Sequence, residues 1–399
     1  MGSFTGPRKP MKERIRNFTP AWHTVNMGTG AISILFHIFP YGSKTQAMQI
    51  IALSFLILNF ALFIIITTCA VTRYLWFRSL WSAMIQHPVQ SLYLGSFPMG
   101  FATILTASVG ILYEHFGFGG PKFLYALWVL WWLDVSVALI ICFGQLHIMF
   151  TRHSHSIRAM TTVWLLPVVT LIVASSTGGV IAQSLQVLNP SDALRTLAAC
   201  FVLVVTGLAI ALMMLTIYLH RLIVYGLPEG ITIFSAFLPL GPMGQGGYSI
   251  LVMGQLFREL QPLQGNEVLL TDPTTAQIIN VICFCAAFVL WSLATGWLIL
   301  AVLALSETLL TTRIPFKITF WGMVFPNGVY AVLTIQLSII LNSPFFRVWG
   351  AIYSVFTLLI WLYATARTVP SVWDGEIFQA PCLEDQNLGG RMLRHAESK

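Results

Sequence analysis

The 399-residue sequence is poor in charge. Charged residues make up 9% of it and hydrophobic residues 57%, whereas a soluble domain carries roughly 25% charged residues. Because such a surface would not stay dispersed in water, the sequence predicts an integral membrane protein. The net charge of +7 does not indicate nucleic-acid binding, because the basic residues lie in short loops between apolar runs, where they act as topology signals.

Several sequence motifs are also missing. The basic stretch from Arg8 to Arg16 is not followed by the short apolar run and small-residue cleavage site of a signal peptide. No Walker A motif is present, which argues against direct use of ATP. Among the six cysteines only Cys283 and Cys285 are close in sequence, and on a helix they would point to different faces. We expect no disulfide, no metal site and no cofactor.

Long apolar runs recur along the sequence. A helix needs about 20 apolar residues to cross the hydrocarbon core of a bilayer. The runs are continuous and do not alternate, which excludes a membrane β-barrel. Ten of them predict transmembrane helices, at approximately 20–40, 47–72, 88–112, 123–150, 160–186, 193–219, 231–256, 275–306, 317–341 and 346–366.

These runs divide the chain into three parts. We expect a cytosolic basic N-terminus (1–19), a ten-helix membrane transport domain (20–366) and a cytosolic C-terminal tail (367–399). With the N-terminus in the cytosol, sixteen of the 21 Lys and Arg residues lie on the cytosolic side. The positive-inside rule therefore favours cytosolic termini, and ten helices return the chain to the side on which it began.

Alternate apolar runs contain a helix-breaking residue. The aligned positions are Asn26, Pro98, Pro167, Pro242 and Pro326, which are 72, 69, 75 and 84 residues apart, about one helical hairpin. Proline inside a helix removes a hydrogen bond, and in lipid such breaks are tolerated where they line a cavity or are buried in protein. The sequence predicts an all-α membrane protein in which five helical hairpins surround a quasi-fivefold central pore.

Apart from Lys317 at the start of the ninth span, the predicted inner helices contain no Asp, Glu, Lys or Arg. A cation path or a proton relay usually has such groups, whereas hydroxyl, amide and backbone N–H donors suit a small anion that must also leave. Each hydroxyl could equally bond to its own helix, so the prediction rests on the whole set. The candidate pore-lining residues are His23, Asn26, Gly28, Thr29, Ser96, Gly100, Thr103, Ser175, Gln245 and Asn327.

Three further residues have predicted roles. Phe97 and Phe325 precede aligned prolines, and an aromatic ring there can close a pore as a hydrophobic gate, although packing is the alternative for either. Asp134 is the one clear acidic residue inside a predicted span. A carboxyl group within the membrane is a functional candidate, but Asp134 lies on an outer helix, so we expect a structural hydrogen bond to an inner helix.

Five segments carry a resemblance to the tellurite-resistance/dicarboxylate transporter family, which includes the plant slow anion channels, and most of all to its fungal sulfite-exporting branch. The resemblance covers about 20–366. It implies ten helices, a quasi-fivefold pore, a gating Phe at Phe325 and a homotrimer. The segments are Tyr125-Ala126-Leu127-Trp128, Leu130-Trp131-Trp132-Leu133-Asp134, Val173-Ala174-Ser175-Ser176, Leu240-Gly241-Pro242-Met243-Gly244-Gln245-Gly246 and Phe320-Trp321-Gly322-Met323-Val324-Phe325-Pro326.

The expected function is export of sulfite or bisulfite across the fungal plasma membrane, by a transporter or channel and not an enzyme. Its partners would be a small inorganic anion, the lipid membrane and two further copies of the chain. Transport of malate or another C4-dicarboxylate is the alternative, although a dianion of that size favours an arginine clamp that the inner helices lack. A haem oxidoreductase would need paired histidines, and His147 has no clear partner.

Overall fold

A computed structural model describes residues 9–228, 230–260, 273–312 and 314–383, and their regular secondary structure is entirely helical. Arg8 and the tail residues 384–399 lie outside the described ranges. The α-helices are α1 (Met11–Arg16), α2 (His23–His37), α3 (Gln46–Trp76), α4 (Ser79–Gln86), α5 (Ser96–Ala107), α6 (Gly120–Thr151), α7 (Leu166–Leu185), α8 (Pro190–Tyr225), α9 (Leu240–Glu259), α10 (Pro273–Thr311), α11 (Val324–Ile340) and α12 (Pro344–Asp374).

Eight helical segments of the described ranges are long and apolar enough to cross a membrane, which confirms the prediction of an all-α membrane protein. They contain α3, α5, α6, α7, α8, α10, α11 and α12. Two other predicted spans, 20–40 and 231–256, correspond to α2 and to most of α9. Helix α2 has 15 residues, and α9 is less apolar because its 20 residues include five glycines and two glutamines.

The helices form two groups by burial. In the segments that contain α5, α7 and α11, 78–100% of the central residues are buried, compared with 22–39% in α3, α6, α8, α10 and α12. Most residues of α2 and α9 are also buried. The buried helices contact one another in the order α2, α5, α7, α9, α11 and back to α2. We call these five the ring helices and the five longer, more exposed helices the outer helices.

Glycine lies at every contact between neighbouring ring helices. At each such glycine an added Cβ would lie about 3 Å or less from an atom of the next helix. Close approach of backbones through small residues is how helices associate in lipid, where apolar burial between helices gives little driving force. The glycines are Gly28 and Gly328 between α2 and α11, Gly100 between α2 and α5, Gly95 (the residue before α5) against α7, Gly179 between α7 and α9, and Gly244 between α9 and α11.

Each ring helix is preceded by a 3₁₀ segment. Pro98, Pro167, Pro242 and Pro326 lie in the first turn of the α-helix that follows, as its second or third residue. A proline in the first turn does not break the helix, because the N–H that it lacks would have no helical partner at that position. The expected break in the middle of each helix is therefore wrong. The 3₁₀ segments are Pro20–Trp22, Ser91–Gly95, Thr162–Leu165, Gly230–Phe237 and Ile318–Met323.

All five ring helices begin at one end of the molecule, which we call the N-face. Both ends of the described chain meet there, because Arg14 donates hydrogen bonds to the carbonyls of Val372 and Trp373 at the end of α12. The ring helices end at the opposite face. At that face the hydroxyl of Ser184, near the end of α7, donates to Glu114 in the π-helix Ser108–His115 that continues α5.

A short segment after α12 lies across the N-face. Helix α12 extends to Asp374, beyond residue 366, where the predicted membrane domain ends. The phenyl ring of Phe378 then stacks on the indole of Trp22 at 5.3 Å, and Lys9 Nζ donates to the Phe378 carbonyl at 3.1 Å. Arg73 Nη2 lies 3.7 Å from Cys382 Sγ. We call residues 375–383 the C-terminal strap.

Candidate functional site

The ring helices enclose two cavities, and Phe325 lines both. The larger, of about 300 Å³, lies at the N-face, and we call it the vestibule. The smaller, of about 30 Å³, lies further along the ring helices, and we call it the chamber. Phe325 is the second residue of α11 and is only 4% exposed. Its side chain therefore stands between the two spaces.

The chamber is lined by all five ring helices. Each helix contributes residues three or four positions apart, which lie on one face of a helix. Within the described ranges no Asp, Glu, Lys, Arg or His lines the chamber. Besides Phe325, the lining consists of Ala31 and Ile34 from α2, Thr103 and Thr106 from α5, Val173 and Thr177 from α7, Gln245 and Tyr248 from α9, and Val329 and Val332 from α11.

Neutral hydrogen-bonding groups form the polar part of the chamber. The hydroxyls of Thr106 and Thr177 are 2.9 Å apart, and Gln245 Nε2 donates to the hydroxyl of Ser176. A cavity needs about 10–15 Å³ to hold one water, so about 30 Å³ accommodates only a very small species. The arrangement can replace part of the hydration shell of a small ion with hydroxyl and amide dipoles.

The wall of the vestibule is mostly apolar. Met27, Met99, Leu166 and Val169 contribute to it, together with Pro381 from the C-terminal strap. Among the described residues that line it, Lys317 is the one charged side chain. First-turn residues of ring helices also reach the vestibule, so the positive ends of these helix dipoles are directed toward it.

Phe97 occupies the repeat position of Phe325 but lies outside both cavities. Its ring stacks on Phe63 of α3 at 5.5 Å and meets the imidazole of His23 edge-on at 5.2 Å. The ring helices are rotated by different amounts about their own axes, so equivalent positions face different directions. Helix α11 presents to the vestibule the residue before its aligned proline, Phe325, whereas α5 presents the residue after it, Met99. The same sequence position therefore faces different surroundings.

His23 and Asn26 also lie away from the two cavities. His23 is buried against Phe63 and Phe97. Asn26 Nδ2 donates to Asn59 Oδ1 at 3.2 Å, and Asn59 Nδ2 donates to Thr103 Oγ1 at 3.1 Å. Asn59 thus links α2, α3 and α5. Sequence reasoning missed it, although an amide in the middle of the apolar run of α3 was a visible signal.

Other predicted pore residues hold helices together. Thr29 Oγ1 accepts a hydrogen bond from Trp361 Nε1 at 3.1 Å. Ser175 Oγ lies 2.7 Å from both the Cys200 carbonyl and the Ser249 hydroxyl. These contacts are to outer helices or within the ring, and neither residue lines a cavity.

Asn327 and Ser96 are fully buried and likewise lie away from the cavities. Asn327 Nδ2 donates to the Met323 carbonyl at 2.7 Å, and its Oδ1 accepts from the hydroxyl of Tyr353. The Ser96 hydroxyl has no hydrogen-bond partner among the described residues. Gly28 and Gly100 are at helix contacts.

Thr103 and Gln245 are thus the predicted pore residues that line the chamber. Thr106, Thr177 and Tyr248 were not among the candidates. The sequence repeat contains a signal that could have identified them. In α2 and α5 the chamber residues lie five and eight positions after the aligned helix-breaking residue, and in α9 and α11 they lie three and six positions after it.

Asp134 lies on the outer helix α6, 4% exposed, and lines neither cavity. The expected hydrogen bond from its carboxyl group to a ring helix is absent among the described residues. Trp131, one turn earlier, makes that link instead, by donating from Nε1 to the Ala174 carbonyl of α7 at 2.8 Å. Asp134 is therefore a buried carboxyl group at the α6–α7 side of the fold.

Comparison with known proteins gives matches along nearly the whole chain. The SLAC1 voltage-dependent anion channel family matches residues 17–369. The sulfite efflux pump SSU1 of Arthroderma benhamiae is 35% identical over 365 residues, which cover 92% of this chain and 93% of that protein. The sulfite efflux pump SSU1 of Candida albicans is 26% identical, with 88% and 73% covered.

A malic acid transport protein of Schizosaccharomyces pombe is more distant, at 21% identity over 360 residues, with 89% of this chain and 78% of that protein covered. The resemblance drawn from the sequence segments is confirmed by these matches. The ring of buried helices and its uncharged chamber belong to a chain that is a member of the SLAC1 voltage-dependent anion channel family.

Proposed function

We propose that this protein exports sulfite or bisulfite from the cytosol through a quasi-fivefold pore formed by the ring helices, with Phe325 as the gate. The observation that carries the proposal is the pair of cavities divided by Phe325. All ten predicted spans, including those with α2 and α9, would cross the membrane in five hairpins. The likeness to sulfite efflux pumps at 35% identity supports the choice of substrate.

The N-face is the proposed cytosolic side, with both termini there. Basic residues of the described ranges concentrate at this face, as the positive-inside rule requires of a cytosolic surface. Those at the N-face are Lys9, Lys12, Arg14, Arg16, Arg73, Arg78, Arg152, Arg158, Arg221, Lys317 and Arg367, and those at the opposite face are Lys44, Lys122, Arg195, Arg258 and Arg347.

In this orientation an anion enters the vestibule from the cytosol. Lys317 and the positive ends of the ring-helix dipoles raise the local anion concentration. Displacement of the Phe325 ring then admits the anion to the chamber, where Thr106, Thr177 and Gln245 supply hydrogen-bond donors. Since no charged side chain of the described residues lines the chamber, no fixed charge from them holds the anion there. A membrane potential that is negative inside drives it outward by about 2.3 kcal/mol per charge per 100 mV.

Malate or another C4-dicarboxylate is the alternative substrate, and the distant malic acid transport protein is the reason to test it. The dimensions of the chamber, about 30 Å³, favour the smaller anion. The absence of an arginine among the described chamber residues favours it as well, because a dicarboxylate gains most from bidentate pairing.

We also propose a homotrimer in the plasma membrane, as the family resemblance implies. The outer helices expose large apolar side chains along most of their length, so they suit contact with lipid or with another copy of the chain. The mass of the purified protein, measured by light scattering with the detergent contribution subtracted, tests this. A monomer would overturn the proposal.

The test of function is flux through purified protein in liposomes under an imposed potential. Sulfite, malate, nitrate and chloride are compared at equal concentration, with protein-free liposomes as the control. We expect sulfite flux well above that of malate. Malate flux without sulfite flux would favour the alternative. In cells, loss of the protein should make a fungus sensitive to sulfite and leave malate uptake unchanged.

A further inference from the structure

The vestibule is larger and more apolar than passage of an inorganic anion requires. Its volume of about 300 Å³ is about ten times that of the chamber. Met27, Met99, Leu166, Val169 and Ile231 all contribute apolar surface to its wall. A hydrated inorganic anion gains nothing from such a wall, whereas an alkyl or aryl group transferred to it from water gains free energy with every methylene buried.

Polar groups without partners also line the vestibule. Gln90 is 6% exposed, and the oxygen of its side-chain amide has no hydrogen-bond partner among the described residues. The hydroxyl of Thr319 has none either. Both residues line the vestibule. A hydroxyl can rotate, and an amide can turn by 180° to present its N–H₂ group, so both can donate hydrogen bonds to a ligand oxygen.

The charge of the vestibule fits a single negative group. Lys317 is the one charged side chain among its described lining residues, and it is exposed at the start of the 3₁₀ segment Ile318–Met323. It lies two residues from Thr319. An anionic head beside Lys317 and Thr319 would leave an attached tail among the methionine and leucine side chains. The chamber beyond Phe325, about 30 Å³, is too small for that tail.

We propose that the vestibule is a binding site for amphipathic organic monoanions, a proposal that rests on the proposed anion pathway. The ligand class has a sulfonate or carboxylate head and one short alkyl or aryl tail. The head lies at Lys317, and the tail lies against Met27, Met99 and Leu166. A bound molecule enters from the N-face, cannot pass Phe325, and blocks the flux of smaller anions. Such a ligand comes either from aqueous solution or from the adjacent leaflet of the membrane.

The first experiment measures binding of radiolabelled 1-octanesulfonate to the full-length protein in lipid nanodiscs, with empty nanodiscs subtracted. A sulfonate keeps its single charge at all pH values used. We expect saturable binding, with ethane-, butane- and hexanesulfonate as competitors whose affinity rises about fourfold for each added methylene. Non-saturable uptake, or affinity that does not depend on chain length, would overturn the proposal without the need for any variant.

Two variants test the site itself. Lys317→Gln removes the positive charge, and we expect it to weaken octanesulfonate binding by about tenfold. Gln90→Leu removes a hydrogen-bonding group and should weaken binding less. The matched control is Arg152→Gln, which removes a positive charge at the N-face at a residue that does not line the vestibule. Equal affinity in the wild type and in Lys317→Gln would place the ligand elsewhere.

The second experiment measures sulfite flux in liposomes with octanesulfonate on one side only. We expect block when it is present at the N-face and none when it is at the opposite face. Block from both sides in equal measure would indicate access through the lipid leaflet. Sulfite flux without octanesulfonate binding would refute the binding site and leave the proposed function intact. Binding without sulfite flux in the wild type would refute the function and retain the site.

Discussion

The position of Phe325 between two cavities makes one substitution decisive. Phe325→Ala should join the vestibule and the chamber into one path, because Phe325 is the one described residue that lines both cavities. We expect a standing leak of chloride and nitrate as well as sulfite. A leak flux about tenfold above that of the wild type corresponds to a free-energy barrier to permeation that is lower by about 1.4 kcal/mol. Liposome flux without an imposed stimulus, or patch-clamp current, measures it.

The matched control is Phe97→Ala, at the same repeat position. Its ring packs against His23 and Phe63 outside the cavities, so its loss should lower the thermal unfolding midpoint and leave the leak unchanged. If Phe325→Ala folds normally and leaks no more than Phe97→Ala, then Phe325 is a packing residue and the gate lies elsewhere.

Asp134 lies on α6, away from both cavities, with no hydrogen bond to its carboxyl group among the described residues. A buried carboxylate without a partner costs several kcal/mol, and asparagine removes the charge at nearly the same volume. We expect Asp134→Asn to keep sulfite flux and to unfold at an equal or higher temperature. Loss of flux in well-folded Asp134→Asn would mean that the charge, and with it proton coupling, is required.

At the residue scale, the sequence predicted the type of side chain that lines the chamber better than it predicted which side chains point into it. An uncharged lining was expected, and Thr103, Gln245 and Phe325 do line the chamber. His23, Phe97 and Asn327 were also expected at the pore, but they contact neighbouring helices. Rotation of each ring helix decides this, and rotation depends on contacts such as that between Gly100 and Asn26, which a single sequence does not reveal.

At the scale of elements, the glycine contacts predict a difference between ring and outer helices. In Gly244→Ala on α9, the new Cβ would lie 3.0 Å from the backbone nitrogen of Tyr330 in α11. Backbone cannot move aside as a side chain can, so we expect destabilisation of about 1–3 kcal/mol. The displacement of α11 should also raise the leak past Phe325. Thermal unfolding and liposome flux measure the two effects.

Gly296→Ala is the matched control for Gly244→Ala. Gly296 lies on the outer helix α10, and nothing lies within 4 Å of an added Cβ. Alanine there should stabilise the helix by up to about 1 kcal/mol. Similar effects of the two substitutions would show that the ring contacts are not as tight as their distances indicate.

The C-terminal strap reaches the vestibule with Pro381 and is held by the stacking of Phe378 on Trp22. Phe378→Ala should release it at a cost of about 2 kcal/mol of buried apolar surface. We expect faster entry of anions from the N-face. Truncation after Asp374 should have the same effect on flux, whereas truncation after Leu383 keeps the strap and should not. Equal flux in all three proteins would show that the strap does not limit entry.

The sequence correctly predicted which helices form the ring, but it did not predict that each of them begins with a 3₁₀ segment. The five breaks predicted which helices are buried, because proline occurs only in alternate apolar runs. The breaks predict kinks inside long helices, whereas in the structure they lie at the start of α-helices that follow 3₁₀ segments. Hydropathy cannot make this distinction, since a 3₁₀ segment such as Thr162–Leu165 is as apolar as the α-helix that follows.

At the scale of the whole molecule, the proposed orientation makes a simple prediction. Ser154→Cys at the N-face and Lys44→Cys at the opposite face both replace exposed residues. With the exposed native Cys285 removed, a membrane-impermeant maleimide added to intact cells should label Lys44→Cys only. Labelling of Ser154→Cys alone would invert the topology and, with it, the direction in which the vestibule opens.

The length of each ring helix depends on whether its 3₁₀ segment keeps that conformation or becomes α-helical. A 3₁₀ segment rises about 2.0 Å per residue and an α-helix 1.5 Å. Conversion of the eight residues Gly230–Phe237 to α-helix would shorten that end by about 4 Å and rotate it, as in a screw thread. Such a conversion would change the length and angle of the N-face end of that ring helix, while the contacts at Gly28, Gly100, Gly179, Gly244 and Gly328 lie in the α-helices themselves.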